Sequence, residues 1–302
     1  MEGQRLSSDE NGVKSSKGDV KKTFSILPSP IQLSTIIVPG AHCVRHISIA
    51  TSDRINVHKY CDELLQIDHD GKILQNISIS FTHGGFHDTT EKGDLLFVDQ
   101  DGYNIKKFSN GETITLFTTD WKPYCIHYSR INGDILLVQH FLTPKVKYLS
   151  KVTRHDSTGW TQVIKVNQRG RRLYENRPSF ITENRNGDIW TSAYGGQVVV
   201  VNSSGHHRFN YTGQTFQSHF RPSGICTDSF GHALVCNCWS NDACASIHLL
   251  DQDGQFLRLL MTSDDGLLRP SALCIDDKHN LYLGQENNNI ITVYKYLQVS
   301  GN

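Results

Sequence analysis

The chain has no long hydrophobic run. The nearest approach in its 302 residues, "LSTIIVPGAHCV", breaks at Pro39 and Gly40, short of the roughly 18 uninterrupted apolar residues that a membrane helix needs. The opening stretch, "MEGQRLSSDENGVKSSKGDVKK", also lacks the apolar segment of a secretory signal, and its Ser, Gly, Lys and Asp cannot bury enough surface to offset chain entropy. Residues 1–30 are therefore expected to form a flexible leader, and 299–302 a short tail, on a soluble, cytoplasmic protein with no membrane partner. Charge of one sign is not in excess. Thirty basic residues balance thirty acidic ones, which argues against a uniformly basic nucleic-acid binder and removes DNA from the expected partners. With no export signal, the eight cysteines read as reduced thiols, several of them at apolar strand positions.

Local catalytic signatures are missing too. There is no nucleophile elbow, no phosphate-binding loop and no His-Glu-x-x-His. There is no Cys-x-x-Cys array and no heptad run, and helical periodicity is nearly absent.

What is present is a repeat. "RPSGICTDSFGHALVCNC" at 221 returns at 269 as "RPSALCIDDKHNLYLG" and has an earlier relative at 177, "RPSFITENRNGDIWTS". "WKPYCIHYSRINGDILLV" at 121 and two degenerate copies at 83 and 43 bring the number to six. The turn pairs Asp53-Arg54, Gly93-Asp94, Gly133-Asp134, Gly187-Asp188, Gly231-His232 and His279-Asn280 are spaced by 40, 40, 54, 44 and 48 residues, a period that belongs to propeller blades. Short β-rich runs follow each turn ("DLLFV", "DILLV", "HALVC"), then a third apolar run, a Gly turn and a fourth, so one period holds four strands. With 37% hydrophobic residues the chain can fill such a core. Six four-stranded sheets in a row would leave open edges, and radial closure is the usual remedy. The sixth copy supplies only three strands, while "IQLSTIIVP" (31–39) has no turn partner, so this N-terminal strand is expected to complete the last blade. The expectation is an all-β, six-bladed β-propeller over residues 31–298, with about 45 residues per blade.

The phrases at 221 and 269 resemble the NHL repeat, with its Pro-x-Gly-Ile/Val start, acidic turn, Gly-Asn/His pair and closing apolar strand. They are most similar to the C-terminal NHL domains of tripartite-motif proteins. That resemblance implies a non-enzymatic recognition platform working in a ubiquitin-ligase context. The RING, B-box and coiled coil that would accompany it are not in this sequence, so the chain is expected to be a fragment or a free-standing module without ligase activity.

In a propeller, the loops entering each first strand share one face, so the basic residue before each Pro, Lys122, Arg177, Arg221 and Arg269, should project near a common surface or simply be solvated there. The connection "KVNQRGRRLYENRPS" adds Arg169, Arg171, Arg172 and Tyr174, and loops nearby add His140, Lys145, Lys147 and Tyr194. Arg interleaved with aromatics suits an acidic or phosphorylated peptide, and equally phosphate contact with base stacking on RNA. A protein or peptide partner is the first expectation and RNA the second, with Trp239 as an exposed aromatic anchor. Cys236, Cys238, Cys244 and His248 offer zinc-type ligands, but at no known finger spacing, and reduced structural thiols explain them as well. A third reading is a metal-dependent lyase or lactonase, for which His87, Asp88, Glu183, Asp228 and Asp276 lie near first strands; Asp228 and Asp276 sit where a turn Asp bonds its own backbone. No cofactor is expected.

Overall fold

In a computed structural model, which describes residues 23–51, 53–58, 63–79, 86–144, 148–193, 196–215, 220–237 and 244–300, the repeat builds six four-stranded antiparallel sheets. Strand β1 is Thr23–Ile37. The first blade is β2 (His46–Thr51), β3 (Arg54–His58), β4 (Glu63–Ile67) and β5 (Ile73–Ser78). The second is β6 (His87–Thr89), β7 (Leu95–Asp99), β8 (Asn104–Ser109) and β9 (Glu112–Thr118). The third is β10 (Lys122–Tyr128), β11 (Ile135–Phe141), β12 (Leu149–His155) and β13 (Thr161–Ile164). The fourth is β14 (Pro178–Glu183), β15 (Ile189–Ala193), β16 (Gln197–Val201) and β17 (His207–Tyr211). The fifth is β18 (Pro222–Thr227), β19 (Ala233–Asn237), β20 (Ser246–Leu250) and β21 (Phe256–Thr262). The sixth joins β22 (Pro270–Ile275), β23 (Asn280–Gln285) and β24 (Ile290–Ser300) to β1.

The expected closure is present, with Ile37 opposite Ile290 and Ile26 opposite Leu297. One boundary differs: β1 begins at Thr23, so residues 23–30 belong to the propeller rather than to a leader, and β24 runs on to Ser300. Pro28 and Pro30 obscure this in the sequence. On an outermost strand a missing N–H costs nothing if it faces solvent, and the register break between Ile26 and Ile31 falls over them. Arg258 of β21 donates from Nη2 to the Pro28 carbonyl at 2.7 Å, tying this segment to the fifth blade.

The turn signal in each repeat maps onto one geometry. Gly93, Gly133, Gly187 and Gly231 take φ of 78°, 79°, 82° and 95°, and His279 stands in the same left-handed position at 65°. The residue opening each turn caps it: Asp228 Oδ1 accepts from the N–H of Phe230 and His232, and Asp276 Oδ1 from Lys278 and Asn280. Second strands such as β7, β15 and β19 are buried along their whole length, whereas β9 is nearly all exposed. The core therefore lies between blades, in clusters such as Trp190 with Val200, Ile225 and Val235, or Leu283 with Leu249 and Tyr296.

The recurring Arg-Pro-Ser has a structural use. Ser223 Oγ donates to the Pro270 carbonyl at 2.9 Å and Ser271 Oγ to the Val44 carbonyl at 2.7 Å, so each serine reaches the innermost strand region of the next blade. Gly224 permits the approach, since a Cβ there would lie 2.3 Å from the Ser271 carbonyl oxygen. Gly224→Ala must push β18 away from β22, with an expected loss of about 1–3 kcal/mol and a melting temperature lower by several degrees in a thermal unfolding scan. An unchanged melting temperature would show that the ring is looser than this packing implies.

Candidate functional site

The innermost strands line the axis, and their residues follow a column in the repeat. Two residues before each turn opener (Thr90, Ser129, Asn184, Asp228, Asp276) stand Asp88, His127, Thr182, Cys226 and Cys274. All five line an axial cavity of about 170 Å³, shared with His46, Ser48, His87, Arg130 and Glu183. The next column, Thr89 and Thr227, bonds backward around the ring, to the Ile49 and Glu183 carbonyls at 2.7 Å.

Asp88 and His127 form an acid–base pair. His127 Nδ1 lies 2.9 Å from Asp88 Oδ2, which also accepts from the Tyr128 N–H at 2.8 Å. Asp88 Oδ1 accepts from the Thr89 N–H at 2.7 Å. Arg130 Nη2 is 3.7 Å from Asp88 Oδ1 and donates to Thr89 Oγ1 at 3.1 Å, with its guanidinium over the Tyr128 ring. Burial works against ionising Asp88, but the hydrogen bond and charge of His127, helped by Arg130 and the Tyr128 N–H, outweigh it and hold the carboxyl down at about 2. Asp88 is thus a carboxylate throughout the physiological range. It engages Nδ1 of the imidazole, leaving Nε2 with no protein partner among the described residues. Arg130 is half exposed and also lines two further cavities at this mouth, of about 480 and 450 Å³.

Other titratable groups near the axis are committed or silent. Glu183 Oε1 is held by Arg154, which also donates to Asp134 at 3.0 Å, an ion-paired tie between blades three and four. Asp228 accepts from Tyr296 and His232 besides its turn amides, and Asp276 serves its own turn. Burial, reinforced by neighbouring thiols and Asp228, raises the Cys226 thiol well above its ordinary range, and burial with nearby Asp88 pushes Cys274 up to about 12, so neither supplies a thiolate. His87 is fully buried with Nδ1 on Ser48 Oγ at 2.8 Å and Nε2 unpartnered. His46 stands perpendicular to it at 4.7 Å between ring centroids. Among the described residues no group of three or more His, Cys, Asp or Glu side chains is placed to hold a metal ion, so the metal of the third sequence reading does not fit.

The sequence-predicted positions disperse. Arg177 and Arg269 do meet, at the opposite mouth of the axis, where Arg45 joins them. Lys122 instead pairs with Asp101 at 3.7 Å, and the Arg221 backbone is anchored on Asn237. Arg169, Arg171 and Arg172 lie in an exposed hairpin closed by the Val166–Arg172 bridge, where Gln168 donates to the His207 carbonyl of β17, the outermost strand of the fourth blade. They line none of the axial cavities. Tyr174 and His140 are buried rather than offered to a partner: Tyr174 joins the blade-three to blade-five core, and His140 Nδ1 meets Ser150 Oγ at 3.0 Å. His248 has both ring nitrogens engaged, by Tyr211 and Ser246, which removes it from the zinc set; Cys236 is fully buried beside an apolar cluster of Leu234 and Ile247, and Cys244 is half-buried. Lys145, Lys147, Tyr194, Cys238 and Trp239 lie outside the described residues. His127, Arg130 and Arg45 were missed. The signal for His127 was the repeat column itself, in which an ionisable pair, Asp88 and His127, falls on adjacent blades.

No family model matches the chain, and no curated protein matches it. Solved structures do. A gluconolactonase from Xanthomonas campestris superposes with a TM-score of 0.65 at 13% identity, covering 94% of this chain and 99% of that one. A putative gluconolactonase gives 0.61 at 12% identity (94% and 96%), and a streptogramin B lyase 0.56 at 14% (92% and 98%). At these identities the likeness establishes the fold. These three propellers carry the names of enzymes, against the expectation of a non-enzymatic recognition module, and the tripartite-motif resemblance is left at the level of blade geometry. Among the described residues no helix is long and apolar enough to cross a membrane.

The buried imidazoles carry a pH consequence. Burial lowers His46 and His248 to about 4 and His58 and His140 to about 3, with His46 and Arg45 adding to the effect at His58 and Arg177 at His140. The unfolded chain takes up protons at these sites below about pH 6.5 while the folded one does not, so their stabilisation is complete above that pH and is lost as pH falls toward 4. Each contributes a slope of up to about 1.4 kcal/mol per pH unit. Melting temperature should fall steeply between pH 7 and pH 5, and a flat profile over that range would contradict the buried, neutral state.

Proposed function

We propose that the axial cleft is the active site of a metal-independent hydrolase acting on a lactone or ester of a small anionic substrate. The observation that carries the reading is the Asp88–His127 pair, 2.9 Å apart in the axial cavity with Arg130 beside it. A base oriented by a carboxylate on a residue that lines a cavity is the arrangement general-base catalysis needs. The gluconolactonase named among the similar propellers supports the choice of a lactone.

In this reading His127 Nε2 takes a proton from water, and the hydroxide adds to the lactone carbonyl carbon. The ring C–O bond then breaks, and the leaving alkoxide takes the proton back from the imidazolium, giving a hydroxy acid. Asp88 keeps the imidazole in the Nδ1–H form and stabilises the imidazolium. Arg130 offers guanidinium hydrogen bonds to the developing oxyanion or to a carboxylate of the substrate.

A panel of lactones and aryl esters, followed by acid release in the presence of a chelator, tests this. Turnover should survive the chelator, and His127→Ala should lower kcat/KM by roughly 10²–10⁴-fold while leaving the fold intact. Asp88→Asn should lower it as well, with some loss of stability because Asp88 also bonds the third blade. Absence of turnover across the panel, or full activity in His127→Ala, would overturn the proposal.

A further inference from the structure

The other mouth of the axis has a different chemistry. A cavity of about 510 Å³ opens there, lined by Arg45, Tyr124, Arg177, Arg269 and Glu286 over a floor of Phe86 and Phe180. The floor is closed: the two phenyl rings meet edge-on at 4.6 Å, and His46 packs against both, at 5.0 and 6.2 Å. This aromatic plug separates the cavity from Asp88 and His127.

The guanidinium groups come from three blades and are held in place. Arg177 lies between Tyr124 and Tyr148, 4.2 and 4.9 Å from their ring centroids, with Nε buried and unpartnered, and has no carboxylate partner among the described residues. Arg269 takes a left-handed φ of 46°, an unusual backbone for an arginine. That conformation is fixed by the Glu286 N–H donating to its carbonyl at 3.0 Å, and its Nη2 lies 3.3 Å from Glu286 Oε2. Among the described residues lining this cavity, Arg177 and Arg269 thus set two guanidinium groups against the single carboxylate of Glu286, over an aromatic floor.

We infer that this mouth is a binding site for a small organic dianion, a phosphate monoester or a dicarboxylate, whose planar apolar body rests on Phe86, Phe180 and Tyr124 while its anionic group is taken by Arg177 and Arg269. Arginine suits such groups because its donors match two oxygens at once. The site is independent of the hydrolase reading, since the plug divides them and its readout is binding rather than turnover.

Calorimetric titration of the full chain with phenyl phosphate, phthalate, inorganic phosphate and neutral phenol at 50 mM salt tests it. Phenyl phosphate or phthalate should bind at least tenfold tighter than inorganic phosphate, and phenol should not bind. Arg177→Gln and Arg269→Gln should each weaken binding at least tenfold. Arg269 is exposed, so its variant keeps the assay meaningful if Arg177→Gln fails to fold. Arg171→Gln, on the outer hairpin, should change nothing. Equal affinity for phenyl phosphate and inorganic phosphate, undiminished binding in Arg269→Gln, or no binding by either organic dianion at millimolar concentration would each overturn the inference.

Discussion

A sheet with two apolar faces is the constraint from which the rest of this molecule follows. Each blade alone would present both faces to water; the ring buries them between neighbouring blades, turns the inner edges toward the axis and leaves only short outer edges to solvent. The ring is closed by one pairing, β1 on β24, which places the beginning and end of the propeller in the same sheet. Among the described residues no strand pairing passes between blades, and side chains carry ties near the axis: Ser223 and Ser271 forward, Thr89 and Thr227 backward, Asp88 to the Tyr128 amide and Arg154 to Glu183. These bonds fix the innermost strands, and through them every group that faces the cavity.

The same closure divides the axis electrically. In its middle, His46 and His87 with Phe86 and Phe180 form a plug in which the imidazoles stay neutral, because the loss of hydration on burial outweighs the attraction of Asp88 for a charged His46. At one end stands a carboxylate with an imidazole and a guanidinium; at the other, three guanidinium groups over aromatic rings. Low-dielectric walls strengthen charge interactions at both ends. Two small ligands of different chemistry could therefore be held a short way apart along one axis without sharing a residue.

How much of this was legible in the sequence depends on what each residue had to satisfy. The turn openers and their glycines were readable because backbone geometry demands them, and the blade count and the latch followed. The resemblance to NHL repeats came from the same positions: a Pro at strand entry, a small residue where β18 meets β22, an acidic turn. Those are requirements of blade geometry, so they identify the fold and are silent about activity. The side chains that faced the axis were harder to read. Period-two alternation says that His140 lies on one side of its strand, but not that this side is core rather than mouth. Arg169, Arg171 and Arg172 looked like part of the rim because they precede Arg177 in sequence, yet the Val166–Arg172 bridge turns them outward. Arg45 carried no Pro after it, and so escaped the pattern that found Arg177 and Arg269.

His127 shows why function in such a ring is a matter of columns rather than motifs. Its position in other blades is filled by Thr182, Cys226 and Cys274, side chains small enough to fill the axis without chemistry of their own. Substituting an acid at that column in one blade and an imidazole in the next creates a pair with no shared local sequence, 39 residues apart, that no linear motif would register. The carboxylate had a structural reason to be there, since it caps the Tyr128 amide and so ties β6 to β10. Once placed for that purpose, it needed only one neighbour to become the orienting half of the proposed general base. The bond that joins two blades and the bond that aims His127 are made by the same oxygen, so the geometry of the acid–base pair is held by the closure of the ring itself.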